Sequence, residues 1–329
     1  MKKTAFVTGS TGFLGLNLVE LLVQEGWEVY ALHRASSNLK YLDAFPVHKV
    51  QGDVTNLASL QAGVPDGIDV CFHLAASTNL WKKNNTLQTK INVEGTKNML
   101  QVIQEKQIPR LVHTSSIVTY GLHDAVINEQ TNSNALDVPI NYFISKRLAD
   151  LEVEKAVQEQ GLHATILHPS HIMGPYDFQN WVQLIKHVYH DTLPGIPPGS
   201  GPFSHVREIA KAHIRAAEVG RAGEHYVLGG DEKSFLDLIN QAQRIFNKKK
   251  STKATPAWML RIGLLGFGIK GWFQPTQEPD LTPEKFTLVT KHVRCDDKKA
   301  QEELGFQHIP MPEIVEECIA WLQKEKLLD

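Results

Sequence analysis

The chain opens with TAFVTGSTGFLGLNLVELL from Thr4, where Gly9, Gly12 and Gly15 stand between an apolar, β-branched run and an amphipathic one. Glycine weakens the interior of a strand or helix, so three of them at this junction imply a need for bare backbone. The context is that of a strand (4–8) turning into a helix (13–25). There one glycine makes the tight turn, another lets the backbone approach a pyrophosphate, and the last permits close helix–strand packing. The spacing is G-x-x-G-x-x-G rather than G-x-G-x-x-G, and a plain strand–turn–helix would also accommodate it. The rest of the chain decides.

Short apolar runs at 28–33, 47–51, 70–75, 110–115 and 163–168 read as further strands. Helical patterns at about 86–106 and 142–159 lie between them. This alternation predicts an α/β fold with a parallel, doubly wound sheet of Rossmann type. After Pro169 the texture changes. A Pro/Gly-rich stretch at 193–206 reads as a loop, followed by a helix ending at Gly220, a strand in EHYVLGG and an amphipathic C-terminal helix. The expected organisation is a dinucleotide-binding domain of residues 1–170 plus about 204–229. A smaller, interleaved substrate domain takes about 171–203 and 230–329.

With 329 residues, 42% hydrophobic and 21% charged, the chain has the composition of a soluble globular protein. A net charge of -2 gives no electrostatic case for nucleic acid or an anionic membrane as partner. Cys71, Cys295 and Cys318 form neither a disulfide framework nor a metal spacing, and a cytoplasmic location is expected. No histidine pair has metal-ligand spacing, so no metal is expected. The segment PAWMLRIGLLGFGIKGWF (256–273) is interrupted by Arg261 and Lys270, too short an apolar run to span a bilayer, and is expected to form a buried or lid helix, with membrane-surface contact as the alternative.

The second strand ends in His33, Arg34, Ser36 and Ser37, without the carboxylate that holds a ribose 2′-hydroxyl in NAD-selective sites. Arg34 can hold a 2′-phosphate instead, with the serines as extra donors, which points to NADP. Tyr142 and Lys146 share one helix face. A neighbouring ammonium is expected to lower the tyrosine pKa from its usual ~10. Ser116 ends the strand RLVHTS, on the sheet edge where ligands of open α/β folds sit. Ser115 suits a helix cap or turn donor.

With these motifs in order, together with GDVTN, FHLAAS, NVEGT and HPSHIMGP, the chain resembles the extended short-chain dehydrogenases/reductases. Its second strand, ending in Arg, is similar to the dihydroflavonol-reductase-like branch. The resemblance implies a catalytic triad of Ser116, Tyr142 and Lys146. It implies dinucleotide contacts from Gly9, Thr11, Gly12, Phe13, Leu14 and Gly15, and from Arg34 and Ser36. Asp53 and Val54 match adenine contacts, Leu74, Ala75 and Ala76 the loop over the cofactor's middle, and Pro169 and Ile172 the strand end along the nicotinamide. Asn92 matches a structural asparagine that sometimes joins a proton relay. His171 is expected to pack rather than shuttle protons.

Two enzymatic readings share the triad: an NADPH-dependent reductase of a hydrophobic ketone or aldehyde, and a nucleotide-sugar epimerase or dehydratase with bound NAD. A non-catalytic NADP-binding regulator is a third. Sugar-nucleotide members place an arginine on the diphosphate where this chain has Gly201, Pro202 and Phe203, which favours the reductase. Leu80, Trp81, Tyr176, Phe178, Trp181 and Phe203 are expected to form an apolar pocket rim. A homodimer is possible through helices 86–106 and 142–159.

Overall fold

The structure, a computed structural model, describes residues 2–178, 181–262 and 282–328. Its principal sheet has seven parallel strands. They are β1 (Thr4–Thr8), β2 (Glu28–His33), β3 (His48–Gln51), β4 (Val70–His73), β5 (Arg110–Thr114), β6 (His163–Pro169) and β9 (His225–Leu228), in the order β3-β2-β1-β4-β5-β6-β9. The order reverses direction between β1 and β4, and this opens a crevice at the carboxyl edge where the two following loops diverge. This is the doubly wound Rossmann-type sheet the alternation predicts.

The central strands are buried because helices cover both faces, while the edge strand β3 stays largely exposed. Helix α1 (Phe13–Gln24) packs with α7 (Val206–Val219) on one face through Leu16, Val19, Leu22, Ile209 and Ala212. On the other, α4 (Gly95–Glu105) and α5 (Asn141–Gln160) place Met99, Ile103 and Val153 against Phe6, Cys71 and Leu111. The helix expected over 86–106 runs from α3 (Asn85–Thr89) into α4 through a π-turn at Lys90–Glu94. Such turns recur at functional sites, and here the bulge carries Asn92.

A second sheet, which the sequence patterning did not disclose, joins β7 (His171–Met173), β8 (Ser200–His205) and β10 (Asp231–Ser234) in the order β10-β8-β7. Half of the expected Pro/Gly loop is thus strand β8, with Gly201, Pro202 and Phe203 all buried. Phe203 and Phe235 pack with Ile239, Ile314 and Ile319 from α8 (Phe235–Ile245) and the C-terminal helix Met311–Lys324, closing a separate core.

No helix among the described residues is long and apolar enough to cross a membrane. The segment 256–273 lies outside the described residues from 263 onward. Residues 257–262 begin a helix whose Trp258, Met259 and Ile262 are exposed, so this part of it is not the buried helix its composition suggests.

Candidate active site

The residues singled out in the sequence lie along the carboxyl edge of the large sheet, because parallel strands end on the same side. After β1, Gly9 has φ +69°, and an added methyl there would meet Ala75 N and the Leu74 carbonyl carbon at 2.9 Å. At Gly15 a methyl would lie 2.1 Å from Gly9 O. Both positions therefore exclude side chains by backbone contact. At Gly12 a methyl would meet only Gly9 O, at 3.2 Å, a tight but far milder contact. Gly12 caps α1 without a side-chain acceptor, and no acid stands in the first turn. The leading amides of the helix are thus left for an anion. Thr11, Phe13 and Leu14 line this turn half-buried, and Leu14 shares an apolar cluster with Leu74 and Ile172 across the crevice. A backbone cradle with bare amides fits the pyrophosphate of a dinucleotide.

A hydrogen-bond relay holds the two lips of the crevice together. The Leu74 and Ala75 amides donate to Thr8 Oγ1, both at 3.1 Å, and that hydroxyl donates to His73 Nδ1 at 2.8 Å. His73 Nε2–H then donates to Thr96 Oγ1 (3.1 Å), which donates to Asn92 O. Burial holds the His73 imidazole neutral, well below its usual pKa, as this tautomer requires. Ala76 is exposed just beyond.

After β2, Arg34 and Ser36 are exposed, and the Arg34 guanidinium has no ion pair among the described residues. Ser37 closes this turn by accepting the Arg34 amide at 3.0 Å. Asp53 begins the turn into α2 (Leu57–Gly63), its Oδ1 accepting the amide and hydroxyl of Thr55. Val54 is buried against Gly95, with its carbonyl held by Asn98. Pro169 is buried and Ile172 half-buried at the far side.

At β5 and α5 the site is built from side chains. Tyr142 and Lys146 lie one turn apart near the start of α5, and Ser116 follows β5. The Ser116 hydroxyl accepts the Val118 amide (3.4 Å) as the cap of a short helical turn, and it stands close enough to Tyr142 to bear on its titration. The cap is therefore Ser116, while Ser115 Oγ donates to Asp150 Oδ2 at 2.7 Å. Lys146, 3% exposed, donates to Thr114 O at 2.7 Å.

Burial pushes the Tyr142 phenol up from its ordinary pKa, and the neighbouring Ser116 hydroxyl opposes this only in part. The acidified phenol expected from Lys146 is thus reversed in direction: with the ammonium committed to Thr114 O, desolvation dominates. The Tyr142 phenol is therefore protonated at neutral pH. Burial also lowers Lys146 to about 8, with Asp150 pulling it back up.

Asp150 is a participant the sequence reading missed. It is fully buried, and although burial pushes its carboxyl up, His113 at 3.4 Å, His168 at 3.9 Å and the Lys146 charge outweigh this and hold it well below the usual range. His168 Nδ1 donates towards Ser116 O (3.3 Å) and Thr119 Oγ1 (3.0 Å), and its Nε2 accepts from His225 Nδ1 at 2.8 Å. Only its position, one turn beyond Lys146 on the same helix face, could have drawn attention to it.

A second network fixes the loop over the crevice. Asn92 accepts the Ser77 amide (2.7 Å) and donates to Ser77 O and Ser145 Oγ, both at 3.0 Å, while Gln88 donates to Ser77 O and Asn79 O. Asn92 thus ties the loop to the tyrosine helix.

The aromatic rim divides. Leu80 joins Tyr142, Leu122 and Leu288 in one apolar cluster. Tyr176 and Phe178 instead pack with Tyr41 and Trp321, and Trp181 and Phe203 pack with His171 and Phe235 in the second core. His171 has its ring 4.9 Å from that of Trp181, and burial lowers its pKa to about 4. These side chains were expected at the rim because they follow strand ends; β8 and the C-terminal helix cover them. Among the described residues, no group of His, Cys, Asp and Glu is arranged to hold a metal.

The profile of the NAD dependent epimerase/dehydratase family matches residues 5–229. The chain is 26% identical to "Sterol demethylase protein B" of Methylococcus capsulatus, covering 99% of this chain and 100% of that one. It is 28% identical to a Synechocystis sp. protein provisionally named dihydroflavonol 4-reductase, covering 97% and 94%. The crystal structure of gox2253 superposes with TM-score 0.85 at 27% identity, covering 98% of this chain and 99% of that one.

Proposed function

The chain belongs to the NAD dependent epimerase/dehydratase family of NAD(P)-dependent enzymes acting on hydroxyl or carbonyl groups, and from that premise we propose that it is an NADPH-dependent reductase of a hydrophobic ketone or aldehyde. The observation that carries this reading is the neutral, half-buried Tyr142 beside Ser116, packed on the same apolar cluster as Leu80, Leu122 and Leu288. Reduction of a carbonyl needs a proton donor, and a phenol held protonated meets that need.

When bound, the reduced dinucleotide supplies the hydride. Gly9, Thr11, Gly12, Phe13, Leu14 and Gly15 would hold its pyrophosphate. Arg34, with Ser36, would hold the 2′-phosphate, and Asp53 and Val54 the adenine end. Leu74, Ala75, Ala76, Pro169 and Ile172 would flank the middle and the nicotinamide. Ser116 hydrogen-bonds the carbonyl oxygen, and Tyr142 gives it a proton as negative charge develops. Lys146, kept charged by Asp150, steadies the phenolate left behind. The proposed division of labour gives 1–170 and 204–229 to the dinucleotide, and 171–203 and 230–329 to the substrate.

Two facts weigh against a sugar-nucleotide substrate. Gly201, Pro202 and Phe203 are buried in β8 and present no cation. Arg207 lies 3.6 Å from Glu20 of α1. A diphosphate placed there would lack its bidentate partner.

The test is NADPH and NADH oxidation with a panel of aromatic and aliphatic carbonyls, alongside thermal shifts with each dinucleotide and with a UDP-sugar. The expected result is turnover with NADPH, and NADPH affinity falling about 10- to 100-fold in Arg34→Ala while NADH affinity barely moves. Stabilisation by the UDP-sugar without carbonyl turnover would instead establish the epimerase reading.

A further inference from the structure

Whole-chain charge conceals a local segregation. Between Leu238 and Ile262 there is no acidic residue, yet there are six cations: Arg244, Lys248, Lys249, Lys250, Lys253 and Arg261. Arg244 is paired with Glu316 and Lys248 with Asp191. The other four are exposed and have no acidic partner among the described residues.

Beside them lies an apolar arc. Trp258, Met259 and Ile262 are 64%, 48% and 59% exposed. At about 100° per residue, positions 258, 262 and 259 cover one third of the helix surface. Leu260 points roughly the other way, towards the 195–196 loop, where a methyl on Gly195 would lie 2.9 Å from its Cδ2. Thr255 anchors the segment by exchanging hydrogen bonds with Ile196 at 2.8 and 2.9 Å. The helix is therefore held by one side and presents tryptophan, methionine and isoleucine to solvent on the other.

We propose that this face, Trp258, Met259 and Ile262, together with Lys249, Lys250 and Lys253 just before it in the chain, docks on the surface of an anionic lipid bilayer. Large apolar side chains clustered in water carry a standing cost that insertion at a headgroup boundary removes. Tryptophan favours that boundary, and lysines on flexible stems reach anionic headgroups without needing a shaped partner. A second copy of the chain fits less well, because two-fold pairing would bring the same cations together. With three inserting side chains, attachment is shallow and reversible.

The experiment is flotation of the full chain with phosphatidylcholine vesicles, with and without about one third phosphatidylglycerol, at low salt and at several-fold higher salt. Binding is expected on the anionic vesicles alone and is expected to fall as salt rises. K249E/K250E/K253E and, separately, W258S/I262S should each lower the bound fraction about tenfold or more, with unchanged thermal midpoints showing that both variants fold. Absence of binding, equal binding to neutral vesicles, or wild-type binding by either variant would overturn the proposal. So would concentration-dependent self-association that W258S/I262S abolishes, which would identify a second copy as the occupant. The outcome is independent of which carbonyl or sugar the active site takes.

Discussion

The two halves of the carboxyl edge are made of different materials. Where β1 and β4 end, the surface is backbone: Gly9 and Gly15 are places where any Cβ would strike main-chain atoms, and the groups on offer are amides. Where β5 ends and α5 begins, the surface is side chain. Ser116 and Lys146 are each held by a partner, Tyr142 stands beside Ser116, and behind them Asp150 with His113, His168 and His225 forms a largely buried polar layer. A backbone cradle tolerates no change in shape. A side-chain site tolerates shape changes but depends on charge, because each buried group is desolvated and relies on its neighbours.

That contrast can be broken most severely at Tyr142. Tyr142→Phe keeps the ring and removes the proton donor, so kcat should fall about 10²- to 10⁴-fold with dinucleotide affinity nearly intact. Steady-state kinetics with dinucleotide titration measures both, and a fully active variant would remove Tyr142 from the chemistry.

The backbone half is sharpened by a pair of alanines. Gly15→Ala forces a methyl to 2.1 Å from Gly9 O and should destabilise the fold by about 3 kcal/mol in urea unfolding. Gly12→Ala, with its nearest atom at 3.2 Å, should unfold near the wild-type midpoint while the thermal shift from dinucleotide shrinks. Equal stability losses would mean that the cradle is not divided in this way.

The side-chain half is sharpened at Asp150. Its carboxyl pKa is depressed in the fold, so it contributes stability above the unfolded value near ~4 and loses it as pH falls from there. Asp150→Asn keeps an acceptor for Ser115 but removes the charge opposite His113, His168 and Lys146. The expected loss is about 3 kcal/mol at neutral pH, with a shallower decline below pH 4. The pKa of Lys146 should also fall below its present value of about 8 and move any kinetic limb it sets. Unfolding curves from pH 3 to 8 and a kcat/KM profile measure this, and superimposable acid limbs would refute the role.

Much of the backbone half was legible in the sequence. TGSTGFLG after an apolar run states both the turn and the lack of side chains, because its requirements are local. Tyr142, Lys146 and Ser116 were also readable as candidates, since a four-residue helical spacing and a strand end are local features. What escaped was whatever depends on residues far apart in the chain. Asp150 meets Ser115 across 35 residues, and His168 meets His225 across 57. Phe203 looked like a loop aromatic until Asp231–Ser234 paired with its strand, and the net charge of -2 averaged away the cationic run near Lys249.

The amino-acid order by itself determined the strand–helix alternation, the glycine turn and the helical spacing of Tyr142 and Lys146, because hydrophobic periodicity and steric permission act over a few residues. Tertiary structure alone decided whether Tyr142 is neutral, which aromatics are packed into the second core and what balances Lys146. Desolvation and Coulomb energy depend on everything within a few ångströms, and those neighbours come from distant parts of the chain.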